Sequence, residues 1–246
     1  MARFFVPQTN VRDNHAMIVG EELEHLRRVL RLGPGDRVTL FDDAGREHEA
    51  IIRSFGAAHC DVEIVQSYPA GRESPLETTL ALGLTKGEKM DLVVEKATEL
   101  GVDAVAPFVS TYTVPKLDNR KIEKRAERWQ KIALSAAKQC GRARIPEIFP
   151  LIQFRELVNQ PWDDSLKLLF WEHESQQTLK QIHAIHRDVS SIILVIGPEG
   201  GFSVEEANLA MARGFKSIML GQRILRAETA AVTALSLAQF LWGDMA

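Results

Sequence analysis

Along residues 1–72 apolar and polar positions alternate in short runs, as they do in strands with one buried face. Arg37-Val38-Thr39-Leu40-Phe41 follows the turn cluster Gly33-Pro34-Gly35-Asp36 and reads as a half-buried strand. Asp42-Asp43-Ala44-Gly45 is a second turn, Glu49–Ile52 a short strand, and Asp61–Val65 a clearer alternating one. Short strands with tight turns at this spacing predict a small antiparallel barrel. One helix interrupts it, from about Gly20 to Leu30, with Leu23, Leu26 and Leu30 on one face and Arg27, Arg28 and Arg31 on the other side.

The pattern changes after a Pro/Gly-bearing linker, Ser67 to Pro75. Thr79–Leu84 is an apolar strand, Val102–Phe108 and Ser217–Leu220 are further strands, and Leu166–Trp171 and Ile192–Ile196 are buried-type strands. Between them lie helical stripes: Met90, Val93, Val94, Ala97 and Leu100, closed by Gly101 as a C′ glycine; then Ile122, Ala126, Trp129, Ile132, Ala133 and Ala136; and Glu228 to Leu241. Ser203-Val204-Glu205-Glu206 predicts a capping box at the start of a further helix. Alternating strands and helices imply an α/β layer with a mainly parallel sheet. The expected domains are therefore 1–72 and 73–246.

Composition adds limits. The chain has 246 residues, enough to bury a real core, and its 45% hydrophobic and 26% charged residues fit a soluble globular protein. Cys60 and Cys140 are isolated and outside any CxxC spacing, which argues against a disulfide scaffold or a zinc cluster. No run approaches the ~20 apolar residues of a membrane span. Pro7 breaks the short apolar start, so it does not read as a signal peptide. A cytoplasmic protein is the expectation, with no metal and no membrane partner.

The formal net charge is −3, so an RNA-binding role has to come from a local patch. One exists. Between Lys116 and Arg144 lie ten basic residues (Lys116, Arg120, Lys121, Lys124, Arg125, Arg128, Lys131, Lys138, Arg142, Arg144) against Asp118, Glu123 and Glu127, a local charge of +7. The run ends in the loop Gln139–Pro146, and loops are where binding residues concentrate. RNA contact is favoured there over a merely solvated helix face.

Candidate chemistry sits at two strand ends. Ile192–Ile196 runs into Gly197-Pro198-Glu199-Gly200-Gly201, and a second loop, Leu220 to Ala230, also follows a strand and opens a helix. In open α/β sheets ligands bind beyond the carboxyl ends of strands, and glycines let the backbone approach them. Taken alone, the first loop is equally well a plain strand-to-helix turn, and Ile224 and Leu225 are equally well core. No GxGxxG follows a strand and no GxxxxGK[ST] occurs, and Gly83-Leu84-Thr85-Lys86-Gly87 meets neither pattern. His183 and His186 lack a further ligand signal, and no Ser-His-Asp arrangement is legible.

Several motifs carry a family resemblance: His25–Arg31, Lys96–Val102, Ala136–Arg142, Gly197–Phe202 and Leu220–Ala230. On these the chain resembles the bacterial 16S rRNA (uracil-1498-N3)-methyltransferases, a branch of the SPOUT methyltransferases. The resemblance implies a SPOUT-type parallel sheet with a C-terminal trefoil knot, an exception to the rule against threaded chains. A PUA-like RNA-binding barrel would precede it. It implies S-adenosylmethionine (AdoMet) as cofactor, a homodimer, and 16S rRNA or the small ribosomal subunit as partner. The cofactor positions would be Phe170, Ile196, Gly197, Pro198, Gly200, Gly201, Leu220, Gly221, Ile224, Leu225, Thr229 and Ala230. Arg226 would stabilise charge developing on the uracil, with Glu199 and Glu228 as candidate proton acceptors. Arg27, Arg28, Arg31, Lys86, Lys138, Arg142 and Arg144 would hold RNA. Two rivals remain: a related enzyme acting on a ribose hydroxyl or another base, and a non-catalytic ribosome-assembly factor with the same fold.

Overall fold

Alternation in the first part of the chain is realised as a six-stranded sheet. The structure, a computed structural model, describes residues 2–114, 119–162, 164–174 and 177–245; Lys116 and Asp118 of the basic run lie outside the described residues. Two compact units emerge: residues 1–73 with 137–145, and residues 74–136 with 146–246.

In the first unit the elements are β1 (Arg3–Phe5), β2 (Val11–Arg12), β3 (His15–Val19), α1 (Gly20–Glu24), β4 (Arg37–Phe41), β5 (Arg46–Phe55) and β6 (His59–Pro69). The sheet order is β1-β4-β5-β6-β3-β2, antiparallel except for the parallel pair β1–β4. Register shifts at Glu49/Ala50 and Ile52/Ser54 mark bulges, which raise local twist. Among the described residues β1 and β2 remain edges, so the expected barrel is present as a curled half-barrel. Every second residue points inward, as the period of two requires: Ala16 and Ile18, Val38 and Leu40, Ala50 and Ile52, Cys60, Val62 and Ile64 form one core with Phe4, Val6, Leu23 and Leu26. Burial, then the neighbouring Asp61 charge, push the Cys60 thiol up to about 11 against the opposing pull of Arg27, so it is an inert core residue.

Two expectations need correction here. The helix over 20–30 does not stay regular. α1 widens into a π-helical turn, His25–Val29, in which Leu30 N–H donates to His25 C=O (3.1 Å). The extra residue per turn rotates Leu30 off the Leu23/Leu26 face, and it is exposed. The supposed linker is also partly strand, because β6 runs to Pro69. Finally, Asp42, His48 and Ser67, which showed no pattern in sequence, form a chain (Ser67 Oγ to His48 Nδ1 2.7 Å; His48 Nε2 to Asp42 Oδ2 3.3 Å). Asp42 Oδ1 also accepts from Ala44 N–H and Arg46 N–H, so the chain pins the β4–β5 turn to β6.

The second unit contains β7 (Glu77–Gly83), α2 (Lys89–Glu99), β8 (Ala104–Val109), α3 (Asn119–Cys140, whose last turn belongs to the first unit), β9 (Glu147–Ile148), β10 (Ile152–Gln153), α4 (Phe154–Leu157), β11 (Leu166–Phe170), α5 (Leu179–Ile185), β12 (Ser191–Ile196), α6 (Val204–Ala212), β13 (Lys216–Ile218) and α7 (Ala227–Trp242). All strand pairs are parallel, in the order β10-β8-β7-β12-β11-β13 with β9 also on β8. Both faces are covered, which is why β12 reads from Ile192 as an unbroken apolar run and β11 departs from one only at the half-buried Lys167. β7 leads through α2 to β8 on one side, whereas β12 leads through α6 to β13 on the other. The sheet therefore has its topological switch point between β7 and β12, where ligands of open α/β sheets bind.

Candidate active site

Three strand-end loops converge on the β12 side of that switch point. β12 ends in Gly197–Gly201, β11 in Trp171–Glu174, and β13 in the segment leading to α7. Together they line a cleft of ≈ 480 Å³. Local chemistry explains the first loop. Gly201 N–H donates to Pro198 C=O (2.9 Å) and Gly201 sits at φ +71, a conformation that disfavours side chains. Phe202 then anchors the loop in the core, its ring centroid 5.1 Å from that of Phe154 and 6.0 Å from that of Phe108. The predicted capping box follows: Ser203 Oγ accepts from Glu206 N–H (3.2 Å) and the Glu206 carboxylate from Ser203 N–H (3.0 Å). β7 has to end in glycine, because a Cβ on Gly83 would lie 2.4 Å from Pro198 Cδ.

The cleft brings together Phe170, Ile196, Gly197, Pro198, Gly200, Gly201, Leu220, Gly221, Ile224, Leu225 and Ala230, with Glu199 and Arg226 beside them. Ile224 is 89% exposed, which excludes the core reading for it. Thr229 and Glu228 are not among the lining residues. Helical spacing in α7 turns Ala227 and Ala230 toward the cleft and carries the two residues between them elsewhere. Sequence reasoning missed Trp171, Glu172, Glu174, Ile218, Met219, Gln222, Arg223 and Ala227, which also line it. The available signal was the polar-aromatic stretch directly after the apolar run of β11. Only the strand order puts that stretch between the other two loops.

Arg226 is exposed at the N-cap of α7 and borders the cleft. Glu199 and Glu228 meet a residue the sequence had not flagged. Lys89 Nζ lies 3.0 Å from Glu199 Oε1 and 3.5 Å from Glu228 Oε2. Glu199 Oε1 also accepts from Lys86 N–H (3.1 Å). Partial burial pushes the Glu199 carboxyl up, but the Lys89 ammonium and the backbone N–H donors of Glu199 and Lys86 together outweigh it and hold the group below the usual carboxylate range. The hydrogen bond to Glu199 correspondingly raises Lys89, against some loss of hydration.

The cleft suits a ligand with an apolar ring, polar edges and a positive centre. Phe170, Ile196, Ile218, Leu220 and Leu225 supply apolar wall; Glu172 and Glu199 supply negative charge; and the buried Trp171 Nε1–H has no partner among the described residues. AdoMet, an adenosine carrying a sulfonium and an amino-acid end, fits that description. Among the described residues there is no group of three or more His, Cys, Asp or Glu placed to hold a metal; His183 packs edge-on against Trp242.

The basic candidates divide. Arg28 and Arg31 are exposed, Arg28 paired with Glu24 (2.7 Å). Arg27 is partly buried; it donates to Gly56 C=O and its guanidinium lies 4.9 Å from the Phe55 ring centroid. Lys86 is exposed in the connection between β7 and α2, and Arg144 is exposed in the first unit. Lys138 is half-buried in an ion pair with Glu22 (2.6 Å). Arg142 corrects the sequence reading: it is 3% exposed, and its Nε donates to Glu73 Oε2 (2.9 Å). Glu73 Oε1 accepts from Ala143 N–H and Arg144 N–H as well. That loop is closed around an internal carboxylate, so Arg142 does not face phosphate.

Similarity to known proteins agrees with both units. Residues 72–239 match the RNA methyltransferase domain family, and residues 18–65 match the RNA methyltransferase PUA domain family. The chain is 33% identical over 243 residues to the ribosomal RNA small subunit methyltransferase E of Bacillus subtilis, covering 96% of this chain and 95% of that one. Among solved structures, the ribosomal RNA small subunit methyltransferase E of Neisseria gonorrhoeae bound to S-adenosylmethionine superposes with a TM-score of 0.89 at 34% identity, covering 100% of both chains. A methyltransferase from Legionella pneumophila with the same cofactor bound gives 0.87 at 34% identity, covering 99% of this chain and 98% of that one.

Proposed function

This chain belongs to the RNA methyltransferase family, and on that premise we propose that it methylates N3 of the uridine at position 1498 of 16S rRNA, using AdoMet. The observation that carries the reading is the convergence of the three strand-end loops on one cleft with apolar walls and carboxylates, in a chain whose relatives hold S-adenosylmethionine. AdoMet, when bound, supplies an electrophilic methyl group on a sulfonium. The backbone of Gly197–Gly201 and of Leu220–Leu225 holds it, so that catalysis is chiefly positioning. The uracil imide must lose its N3 proton, and Arg226 stabilises the charge that develops on the ring. The N3 edge is paired in helical RNA, so the target uridine is bound unpaired or splayed out.

The exposed Arg28, Arg31, Lys86 and Arg144 are the cations that meet RNA phosphate in this reading. We place the enzyme in the cytoplasm as a homodimer; no helix among the described residues is long and apolar enough to cross a membrane. Primer extension on 16S rRNA from a strain lacking the gene is the test. N3 methylation blocks Watson–Crick pairing and arrests reverse transcriptase, so the arrest at 1498 disappears in that strain. Its persistence would assign the enzyme to a ribose hydroxyl or another base. Calorimetry with AdoMet separates the non-catalytic assembly factor: no heat at millimolar ligand would exclude the enzyme.

A further inference from the structure

One ammonium joins three segments at the switch point. Lys89 is the first residue of α2, where a cation opposes the helix dipole. It is kept there by two carboxylates from elsewhere: Glu199 in the loop after β12 and Glu228 in the first turn of α7. Glu199 Oε1 takes two donors, the Lys86 N–H from the β7–α2 connection and the Lys89 ammonium from the first residue of α2. Glu228 Oε2 is buried and has no hydrogen-bond partner among the described residues, so the Lys89 ammonium 3.5 Å away acts on it as a counter-charge. The spacing at this point is tight, since the end of β7 abuts Pro198 of the same loop.

We infer that Lys89 is a positioning residue of the cofactor cleft: by bridging Glu199 and Glu228 it fixes the loop after β12 against the start of α7, and the two carboxylates serve that bridge rather than accept the uracil proton. The inference rests on reading the cleft as the AdoMet site. A general base needs a proton affinity matched to its task and a place within reach of the substrate, and charge-assisted donors to a carboxylate lower that affinity. Glu199 Oε1 already accepts two hydrogen bonds, one of them charge-assisted, and Glu228 does not line the cleft. The low proton affinity of Glu199 agrees with this. The gap between the two loops decides how well a ligand held by both fits, so a lost bridge appears first as weaker binding.

The test measures AdoMet binding by calorimetry, and methyl transfer to small ribosomal subunits, for wild type, Lys89→Met, Lys89→Arg and Glu228→Gln. Thermal melts check folding. Lys89→Met is expected to raise the AdoMet Kd and KM about tenfold while kcat at saturating AdoMet stays within about twofold, because ground-state positioning is what is lost. Lys89→Arg is expected to recover most of the affinity, to within about threefold, since it keeps a charged donor. Glu228→Gln should raise Kd about threefold by removing one end of the bridge. Unchanged Kd in Lys89→Met overturns the inference, as does a fall in kcat without a change in Kd. A Glu228→Gln variant, or a Glu199→Gln variant made beside it, whose kcat at saturating AdoMet falls by more than about 100-fold also overturns it, because that carboxylate is then the base. If Lys89→Met does not fold, Lys89→Arg and Glu228→Gln decide, and a Glu228→Gln Kd equal to wild type overturns the bridge. If wild type itself binds no AdoMet, the reading of the cleft has failed and the bridge falls with it.

Discussion

Gly197–Gly201 and residues 141–145 are both short turns that leave a regular element, yet they end in opposite states. The first opens onto a cleft, with its flanking Phe202 buried and its three glycines among the lining residues. The second closes on itself: Glu73 accepts from Ala143 N–H, Arg144 N–H and the Arg142 guanidinium, and the cation that looked available for RNA is internal. The difference lies in what satisfies the turn's polar groups. Where a carboxylate of the same unit fills the turn, the turn is structure. Where the turn lines a cleft beside a buried indole N–H without a partner among the described residues and an 89% exposed isoleucine, the turn is prepared for a ligand.

The contrast can be broken at its strongest point first. Gly83→Val places a branched side chain where even a Cβ would lie 2.4 Å from Pro198, so the loop after β12 must move. AdoMet affinity should fall by more than about 100-fold, read by calorimetry, given how steeply misplaced binding groups lose affinity. Near-normal affinity would mean the loop's position is not set by β7. Next is Arg142→Ala, which leaves the Glu73 carboxylate uncompensated in a buried setting. Stability in urea should drop by about 3 kcal/mol. A variant of wild-type stability that binds RNA more weakly would restore Arg142 to the RNA surface.

Arg144→Ala sharpens the same comparison from the exposed side. Stability should change by no more than about 0.5 kcal/mol, while the slope of log K for rRNA against log salt should flatten by about 1. The smallest effect is expected for pH. Glu199 is depressed in the folded protein, so its contribution to stability is present above the ordinary carboxylate pKa. That contribution is lost as pH falls through the depressed value. Glu199→Gln should therefore reduce the loss of stability between those two points, read as a flatter acid limb in melting temperature against pH. An unchanged limb would mean that the Lys89 contact does not hold the carboxylate in solution.

Much of the fold was legible because strand and helix periods are local. β4, β11, β12 and the capping box at Ser203 lie within a residue or two of where alternation and turn chemistry placed them. Departures came where a local pattern has two solutions. The apolar stripe over Gly20–Leu30 fits an α-helix, and only packing of Leu23 and Leu26 into the sheet selects a π-turn that releases Leu30. Thr229 and Glu228 stood in the right loop, but the phase of α7 decides which of its first residues face the cleft.

By itself the sequence determined the strand-end loops, their glycines and the family these carry, because turn backbone and apolar period depend on neighbours a few residues away. Tertiary structure alone decided which charges are free. Whether Arg142 meets Glu73 or solvent, and whether Glu199 and Glu228 stand apart or share Lys89, depends on segments separated by 69 residues in the first case and by 110 between Lys89 and Glu199 in the second. A charge is written in the sequence, but its partner is chosen by the fold, since electrostatic pairing depends on distance in space and not on spacing along the chain.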